Sequence, residues 1–286
     1  MIFYIIISMI FVSPYNIWCT KREINMKNKL LLLLCIPVFA LSSCNNTKNK
    51  QYIGIISAMD NEISLLLKEA KIDKKETIGG VTFHIGSLKN QPVIISRAGI
   101  GKVRASSGAT TLLNSYNISK VIFTGVAGGL RDDESVLDEV IATSVVEHDY
   151  GFITNDGFEW GGGDPGKKEP GEYYYCDTTL VNLAYESAVA TMSSEHVFKG
   201  LIATGDQFIT STNYVEWLTT KFDAYACEME GASVGKICTS YQKPFVVLRT
   251  LSDKADSEAQ ESYVNFGDLA ADQSSKIVMK MLETMN

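Results

Sequence analysis

Short apolar runs alternate with stretches of helical periodicity from Tyr52 to the end of the chain. Tyr52–Ser57 (YIGIIS) and Lys120–Thr124 (KVIFT) are almost continuously apolar, which is typical of buried strands, whereas Glu62–Ala70 has its apolar residues at helical spacing. The further predicted strands are Val81–Leu88, Pro92–Ala98, Val136–Val146, Lys199–Ala203 and Phe245–Leu251, and the further predicted helices are Lys102–Tyr116, Thr178–Ser193, Cys227–Tyr241 and Asp268–Thr284.

This alternation predicts the fold class. Strands that alternate with helices favour a parallel sheet covered by helices on both faces. Val81–Leu88 and Pro92–Ala98 are separated only by a Lys89-Asn90 turn, so they add a strand pair that makes the sheet mixed. We therefore predict an α/β fold, a three-layer α/β/α sandwich around a mixed, largely parallel sheet. Residues 150–175 are rich in glycine and aromatic residues and form either a surface loop or a wall of the site.

The N-terminal region has a different pattern. Met26–Lys29 is basic, Leu30–Leu41 is apolar, and small residues lead to Cys44. This order of blocks resembles a bacterial lipoprotein signal, in which cleavage before Cys44 leaves that cysteine lipidated. The alternative is a short buried helix that happens to end in Ser-Ser-Cys.

The lipoprotein interpretation divides the chain into three parts. Residues 1–43 are a leader with translation starting at Met26, residues 44–51 are a polar tether, and residues 52–286 form the folded domain. Acyl chains on Cys44 would anchor the protein to a membrane of the bacterial cell envelope, on its periplasmic or surface side. A leader that is not used would leave the protein in the cytoplasm.

Composition and charge exclude several classes of protein. The 286 residues carry a formal net charge of -7, from 26 Lys+Arg and 33 Asp+Glu. Such an acidic chain lacks the basic face of a nucleic-acid-binding protein. The cysteines show no metal-ligand spacing and the three histidines are scattered, so we expect no metal site.

Three acidic clusters follow predicted strands, at the sheet edge where α/β proteins usually bind ligands. Each cluster has a simpler explanation, because acids also cap helix N-termini. Taken together, they offer carboxyl groups that divide acid and base work, as in glycoside hydrolysis. Arg249, at the same strand end, would orient water or a sugar hydroxyl, or form a surface ion pair. The clusters are Asp60 with Glu62, Glu228 with Glu230, and Asp253 with Asp256.

Two glycine-rich turns follow strands. Gly125–Gly129 lets backbone N–H groups approach a ligand, but it is neither a dinucleotide-binding nor a Walker A motif. Gly99–Lys102 is a tight strand-to-helix turn, for which a plain turn is favoured over a phosphate site.

Six ordered motifs resemble those of the 5′-methylthioadenosine/S-adenosylhomocysteine nucleosidases, which belong to the nucleoside phosphorylase superfamily. The resemblance extends from about Tyr52 to Leu282, and the order and spacing of the motifs make it specific. The motifs are IGIISAMDNEISLL (53–66), AGIGKV (98–103), FTGVAGGL (123–130), ATGDQFI (203–209), CEMEGASVGKIC (227–238) and VVLRTLSDKAD (246–256).

The resemblance implies a nucleoside phosphorylase-like fold and hydrolysis of the N-glycosidic bond of methylthioadenosine and S-adenosylhomocysteine, releasing adenine without a cofactor. It implies that Glu62 activates the attacking water and that Asp253 protonates the purine at N7. An acid in that role must keep its proton near neutral pH, so we expect a raised pKa for Asp253.

The resemblance also implies a set of substrate contacts. Met229 and Glu230 match the ribose-binding pair, and Arg249 matches a residue beside the water and the ribose. Phe208 matches the ring that stacks on adenine. The remaining implied contacts are Ile209, Gly128, Ile100 and Ser252.

Alternative functions stay open from the sequence. Valine at position 126 replaces a serine found in many relatives and is typical of the branch that also cleaves 6-amino-6-deoxyfutalosine. A nucleoside phosphorylase is the nearest rival, although a carboxylate at Glu62 would repel phosphate. A membrane-tethered nucleoside-binding protein would need neither Glu62 nor Asp253. The family further implies a homodimer, in which a loop of one subunit closes the other's site, and residues around 148–160, including His148 and Phe152, are the candidates for that loop.

Overall fold

The computed structural model describes residues 50–161 and 171–285. The predicted leader and Cys44 lie outside these residues, so they stay predictions. Within the described residues, no helix is long and apolar enough to span a bilayer.

The elements follow the predicted alternation of strands and helices. The strands are β1 (Tyr52–Ser57), β2 (Lys71–Ile78), β3 (Val81–Leu88), β4 (Gln91–Arg97), β5 (Ile118–Gly129), β6 (Glu139–Glu147), β7 (Gly151–Thr154), β8 (Gly157–Trp160), β9 (Tyr173–Tyr175), β10 (Val197–Thr204), β11 (Ala224–Glu228) and β12 (Phe245–Asp253). The helices are α1 (Asp60–Glu69), α2 (Lys102–Ser115), α3 (Thr178–Thr191), α4 (Thr212–Phe222), α5 (Gly231–Ser240) and α6 (Ala259–Thr284).

One mixed sheet forms the middle layer, with the strand order β11-β10-β6-β12-β5-β1-β4-β3-β2. Neighbours β4, β1, β5 and β12 are parallel, whereas β2 and β3 add antiparallel strands at one edge. Helices α1, α3 and α6 pack together, and α2 packs against α5. Because helices cover both faces of the sheet, the predicted three-layer sandwich is confirmed.

The long strand β5 closes one part of the sheet on itself. Its first residues pair with β1, and its last two, Gly128 and Gly129, pair antiparallel with Cys227 and Ala226 of β11. Strands β5, β12, β6, β10 and β11 therefore form a closed ring. This closure brings the carboxyl ends of β5, β11 and β12 together, so the acidic residues at these strand ends lie near one another.

Most predicted elements are confirmed, and the differences have local causes. The Lys89-Asn90 turn has left-handed φ angles of 48° and 65°, as a tight hairpin requires. The helix predicted over Cys227–Tyr241 is wrong at its start, because Ala224–Glu228 is a strand and the helix begins at Gly231. Between this strand and the helix, the Glu228 carboxylate accepts hydrogen bonds from the backbone N–H groups of Glu230 and Gly231.

Six elements were missed or predicted too short. Strand β2 (KIDKKETI) is polar because it lies at the sheet edge, and α4 lay in an unassigned stretch. Helix α6 begins at Ala259, nine residues before the predicted Asp268. The segment predicted as a loop contains the hairpin of β7 and β8 and the short strand β9.

Candidate active site

A cavity of about 520 Å³ lies at the carboxyl ends of β1, β5, β11 and β12. Of the ten site residues predicted in the described part of the chain, all but Arg249 line it. They are Glu62, Ile100, Gly128, Phe208, Ile209, Met229, Glu230, Ser252 and Asp253.

Glu62 is buried in the first turn of α1, and its carboxylate is fixed by three backbone N–H groups. Oε2 accepts from Ala58 at 2.9 Å and from Met59 at 2.8 Å, and Oε1 accepts from Val126 at 2.9 Å. Oε2 therefore caps the N-terminus of α1, as the simpler explanation of the acidic clusters expects, whereas Oε1 belongs to the site. Arg249 and the three amides favour the ionised form of this carboxyl. Burial opposes them and has the larger effect, so the pKa of Glu62 is raised.

Arg249 lies beneath the cavity with only 1% of its side chain exposed, so the surface ion pair considered from sequence is wrong. Its guanidinium pairs with Glu228, lies 3.3 Å from Glu230 Oε2 and lies 3.6 Å from Glu62 Oε1. The guanidinium carbon also lies 4.5 Å from the ring centroid of Phe123. One buried cation thus joins the carboxylates of Glu228, Glu230 and Glu62.

Glu228 and Glu230 have different neighbours. Glu228 accepts from the backbone of Gly231 at 2.8 Å and from the Thr204 hydroxyl, so its oxygens are occupied by the protein. Glu230 Oε1 accepts only the Gly101 N–H, at 2.8 Å, and its side chain lines the cavity. Burial, together with the neighbouring Glu228, raises the pKa of Glu230 to about 8. Both carboxyls line the cavity, but Glu230 has fewer protein partners, so it is the one of this pair with an oxygen available to a ligand.

Asp253 is buried at the end of β12. Oδ1 accepts the Ala255 N–H at 2.9 Å and Oδ2 accepts the Ser252 hydroxyl at 2.8 Å. Burial raises the pKa of Asp253, in the predicted direction. A methyl group on Gly128 would lie 2.8 Å from Asp253 Oδ1, so glycine permits this close approach.

Aromatic and apolar side chains form the walls of the cavity. Phe208, from the segment between β10 and α4, is half exposed and packs edge-on against Tyr263 of α6, with ring centroids 6.0 Å apart. The Tyr263 hydroxyl donates to Met59 Sδ at 3.3 Å. Val126 packs with Ala270 and Ala271, so its apolar side chain belongs to the wall next to Glu62.

Several cavity residues were not predicted. Tyr263 and Gln260 belong to the first turns of α6, which the periodicity placed too late in the chain. Glu228 was noted as an acid, but its part in holding Arg249 needed the contact to be seen. Met59, Gln207 and Cys227 flank predicted residues inside the same motifs, which is the only signal that identifies them. His148 has no exposed surface in this chain and lies beside Tyr214, whose hydroxyl is 3.1 Å from its Nδ1.

Among residues 50–161 and 171–285, no group of His, Cys, Asp and Glu side chains has the geometry of a metal site. The polar side chains in the cavity are acids and amides, together with Ser252 and Tyr263. The described site therefore offers acid–base groups and hydrogen bonds to a ligand.

Comparisons with known proteins agree with one another. The family model of the phosphorylase superfamily matches residues 52–283. A 5′-methylthioadenosine/S-adenosylhomocysteine nucleosidase of Bacillus cereus is 40% identical over 237 residues, which cover 82% of this chain and 99% of the relative. The crystal structure of the same-named nucleosidase from Helicobacter pylori, with butyl-thio-DADMe-Immucillin-A, has a TM-score of 0.74 and 34% identity, covering 82% of this chain and 99% of that chain. A futalosine hydrolase of Helicobacter pylori has a TM-score of 0.73 and 35% identity, covering 82% and 98%.

Proposed function

The chain belongs to the phosphorylase superfamily, within its 5′-methylthioadenosine/S-adenosylhomocysteine nucleosidases, and from this we propose how its site works. The protein hydrolyses the N-glycosidic bond of methylthioadenosine and S-adenosylhomocysteine, releasing adenine and the 5-thioribose product. The observation that carries this proposal is that two buried carboxyls with raised pKa values, Glu62 and Asp253, line one cavity together with Glu230.

Glu62 and Asp253 divide the acid and base work. Asp253 donates its proton to N7 of the purine, so that adenine leaves as a neutral molecule with the electron pair of the broken C1′–N9 bond. Glu62 accepts a proton from water, whose oxygen forms the new bond to C1′ of the oxocarbenium-like sugar. Burial raises the pKa of Asp253, which favours the protonated form that an acid requires. Arg249 and the three amides on Glu62 favour the ionised form that a base requires, against burial, which raises the pKa of this carboxyl.

Glu230 and Arg249 support the sugar. Glu230 is exposed to the cavity and binds ribose hydroxyls, with Met229 beside it. Arg249 neutralises the surrounding carboxylates and holds Glu62 and Glu230 in one geometry. Negative charge near the ribose stabilises the positive charge that develops as adenine leaves.

The purine subsite lies between Phe208 and the end of β5. The Phe208 ring stacks on adenine, and Ile209, Gly128 and Ser252 line the adjoining wall. Ile100 borders the cavity on the α2 side and is half exposed, where it meets the 5′ substituent.

Water rather than phosphate is the nucleophile. Glu62 occupies the place beside C1′ with a carboxylate, and Glu228 and Glu230 add further acidic groups nearby. Arg249 is already surrounded by these three side chains, so it is not available to bind a phosphate ion. Adenine release in phosphate-free buffer tests this directly, since a phosphorylase would be inactive there.

Aminodeoxyfutalosine is a second substrate suggested by Val126. This side chain packs with Ala270 and Ala271 in the wall next to Glu62, and a solved relative of similar identity is a futalosine hydrolase. Comparing kcat/KM for the two nucleosides tests the suggestion, and Val126→Ser is expected to lower activity on the futalosine derivative more than on methylthioadenosine. An unchanged ratio would contradict a role for Val126 in substrate choice.

The working form is a homodimer anchored through a lipid on Cys44. Apolar side chains lie exposed near the cavity and on the β7–β8 hairpin, among them Ile100, Val103 and Ile153, and these support a subunit interface. The basic, apolar and small-residue blocks before Cys44 support the anchor. Light scattering tests the dimer. Incorporation of a labelled fatty acid, lost in Cys44→Ala, tests the anchor.

A further inference from the structure

Asp206 lies in the segment between β10 and α4, two residues before Phe208. Its Oδ1 accepts the backbone N–H of Lys102, the first residue of α2, at 2.8 Å. The residue at the N-terminal boundary of α2 is Gly101, which has no side chain to cap the helix and a φ of 95°. Asp206 therefore supplies, from another part of the chain, the acceptor that α2 lacks.

The backbone N–H just before α2, that of Gly101, binds Glu230, the side chain proposed to hold the ribose hydroxyls. Gly101 donates its N–H to Glu230 Oε1 at 2.8 Å. A methyl group on Gly101 would approach Asp206 Oδ1 to 2.9 Å, so the two carboxylates and the glycine are tightly packed. Two successive N–H groups at one helix terminus are thus bound by carboxylates from two segments that line the cavity.

A third carboxylate closes the network around Asp206. The backbone N–H of Asp206 donates to Asp149 Oδ2 at 2.9 Å, and Asp149 Oδ1 pairs with Lys102 Nζ at 2.6 Å. Asp206 is consequently joined to α2 twice, once directly and once through Asp149. This ring of contacts fixes the segment that carries Phe208 and Ile209 relative to the helix terminus that holds Glu230.

We propose that Asp206 is a positioning residue. By joining the 205–209 segment to the N-terminus of α2, it sets the distance between the purine subsite and the Glu230 carboxyl that binds ribose. This inference rests on the proposed function. Asp206 does not line the cavity, so it acts through Lys102 and Gly101 rather than by touching the substrate. Its contribution is to substrate binding in the ground and transition states alike, and therefore to KM more than to kcat.

The test compares three variants of the full chain with methylthioadenosine. Asp206→Ala removes the acceptor and is expected to raise KM five- to tenfold, about the effect of a lost helix cap, with kcat changed less than twofold. Asp206→Asn keeps an oxygen that accepts the Lys102 N–H and is expected to stay within about twofold of the wild type. Glu216→Ala, which removes an exposed carboxylate of α4, is the matched control and is expected to leave both constants unchanged.

Thermal unfolding of the same variants separates positioning from folding. A KM for Asp206→Ala equal to that of Glu216→Ala would overturn the proposal. Equal losses in Asp206→Asn and Asp206→Ala, with kcat and the unfolding temperature falling together, would also overturn it. A wild-type protein that releases no adenine would instead overturn the proposed function, which this comparison distinguishes.

Discussion

Gly125 and Glu62 pack so closely that a methyl group on Gly125 would lie 2.2 Å from Glu62 Oε1 and 2.2 Å from Arg249 Nη1. Because Gly125 of β5 has no side chain, it leaves the space in which the Glu62 and Arg249 side chains approach each other. Its place is determined by packing of side chains, since Gly125 has no left-handed φ.

Gly125→Ala is therefore expected to displace both side chains. We expect a loss in kcat/KM of more than 100-fold, and a loss in the free energy of unfolding of about 1–3 kcal/mol from overpacking. Steady-state kinetics and denaturant unfolding measure the two effects. Gly80→Ala is a control, because open space surrounds Gly80 but its φ is 81°, so it should cost stability without costing activity. Full activity in Gly125→Ala would show that the contact is not needed.

Asp253→Asn tests the proton donor through the pH dependence of the rate. The pKa of Asp253 is raised by burial, so the acid form persists toward neutral pH and kcat/KM should fall on the alkaline side as the proton is lost. Asn has no acidic proton to transfer to N7, and we expect a loss of at least about 100-fold together with disappearance of that alkaline limb. Asp132→Asn, in an exposed loop, should leave the profile unchanged. An alkaline limb that survives in Asp253→Asn would assign it to another group.

Arg249→Met tests the buried cation. Removing it leaves Glu62, Glu228 and Glu230 close together without their shared positive charge. Because an uncompensated buried charge is costly, we expect the protein to lose about 3–5 kcal/mol of its free energy of unfolding. Part of that loss should be recovered at low pH, where the carboxylates become protonated. Equal destabilisation at all pH values would contradict the account and indicate lost packing instead.

Glu139→Gln tests a buried acid away from the cavity. The Glu139 carboxyl pairs with the Thr250 hydroxyl, and burial raises its pKa from 4.5 to about 8. The unfolded chain loses this proton near pH 4.5 and the folded chain only near pH 8, so the wild type is most stable below pH 4.5 with respect to this group and loses stability as the pH rises to 8. Glutamine does not titrate, so it should abolish that loss, which amounts to about 4–5 kcal/mol for a pKa that rises from 4.5 to about 8. Parallel unfolding curves for both proteins between pH 5 and 8 would contradict the raised pKa.

The fold could largely be predicted because continuous apolar runs mark buried strands. Elements that rely on other signals were harder. Strand β2 pairs along one edge only and has few apolar residues, so periodicity gave no sign of it. Cys227 and Glu228 were assigned to a helix because small residues follow them, and only the pairing of β11 with β10 and β5 shows that they belong to a strand.

The acids of the site could be named from the sequence, and the resemblance assigned roles to Glu62, Asp253 and Glu230, but the difference between Glu228 and Glu230 could not be derived from the residues. Glu228 and Glu230 are two residues apart and look equivalent in the sequence. Both line the cavity, and their difference comes from Thr204 and the Gly231 N–H, which occupy Glu228, whereas Glu230 Oε1 accepts only the Gly101 N–H. The positioning role proposed for Asp206 depends on its contact with α2, more than a hundred residues earlier in the chain, so no local sequence pattern indicates it.

The most direct measurement of the central claim is adenine release from methylthioadenosine in phosphate-free buffer, followed by chromatography. The account predicts turnover by the wild type, at least a 100-fold loss in Glu62→Gln, and normal turnover in Glu69→Gln, which changes an exposed acid of the same helix. Release that begins only when phosphate is added, or a Glu62→Gln variant as active as the wild type, would contradict hydrolysis by water that Glu62 activates.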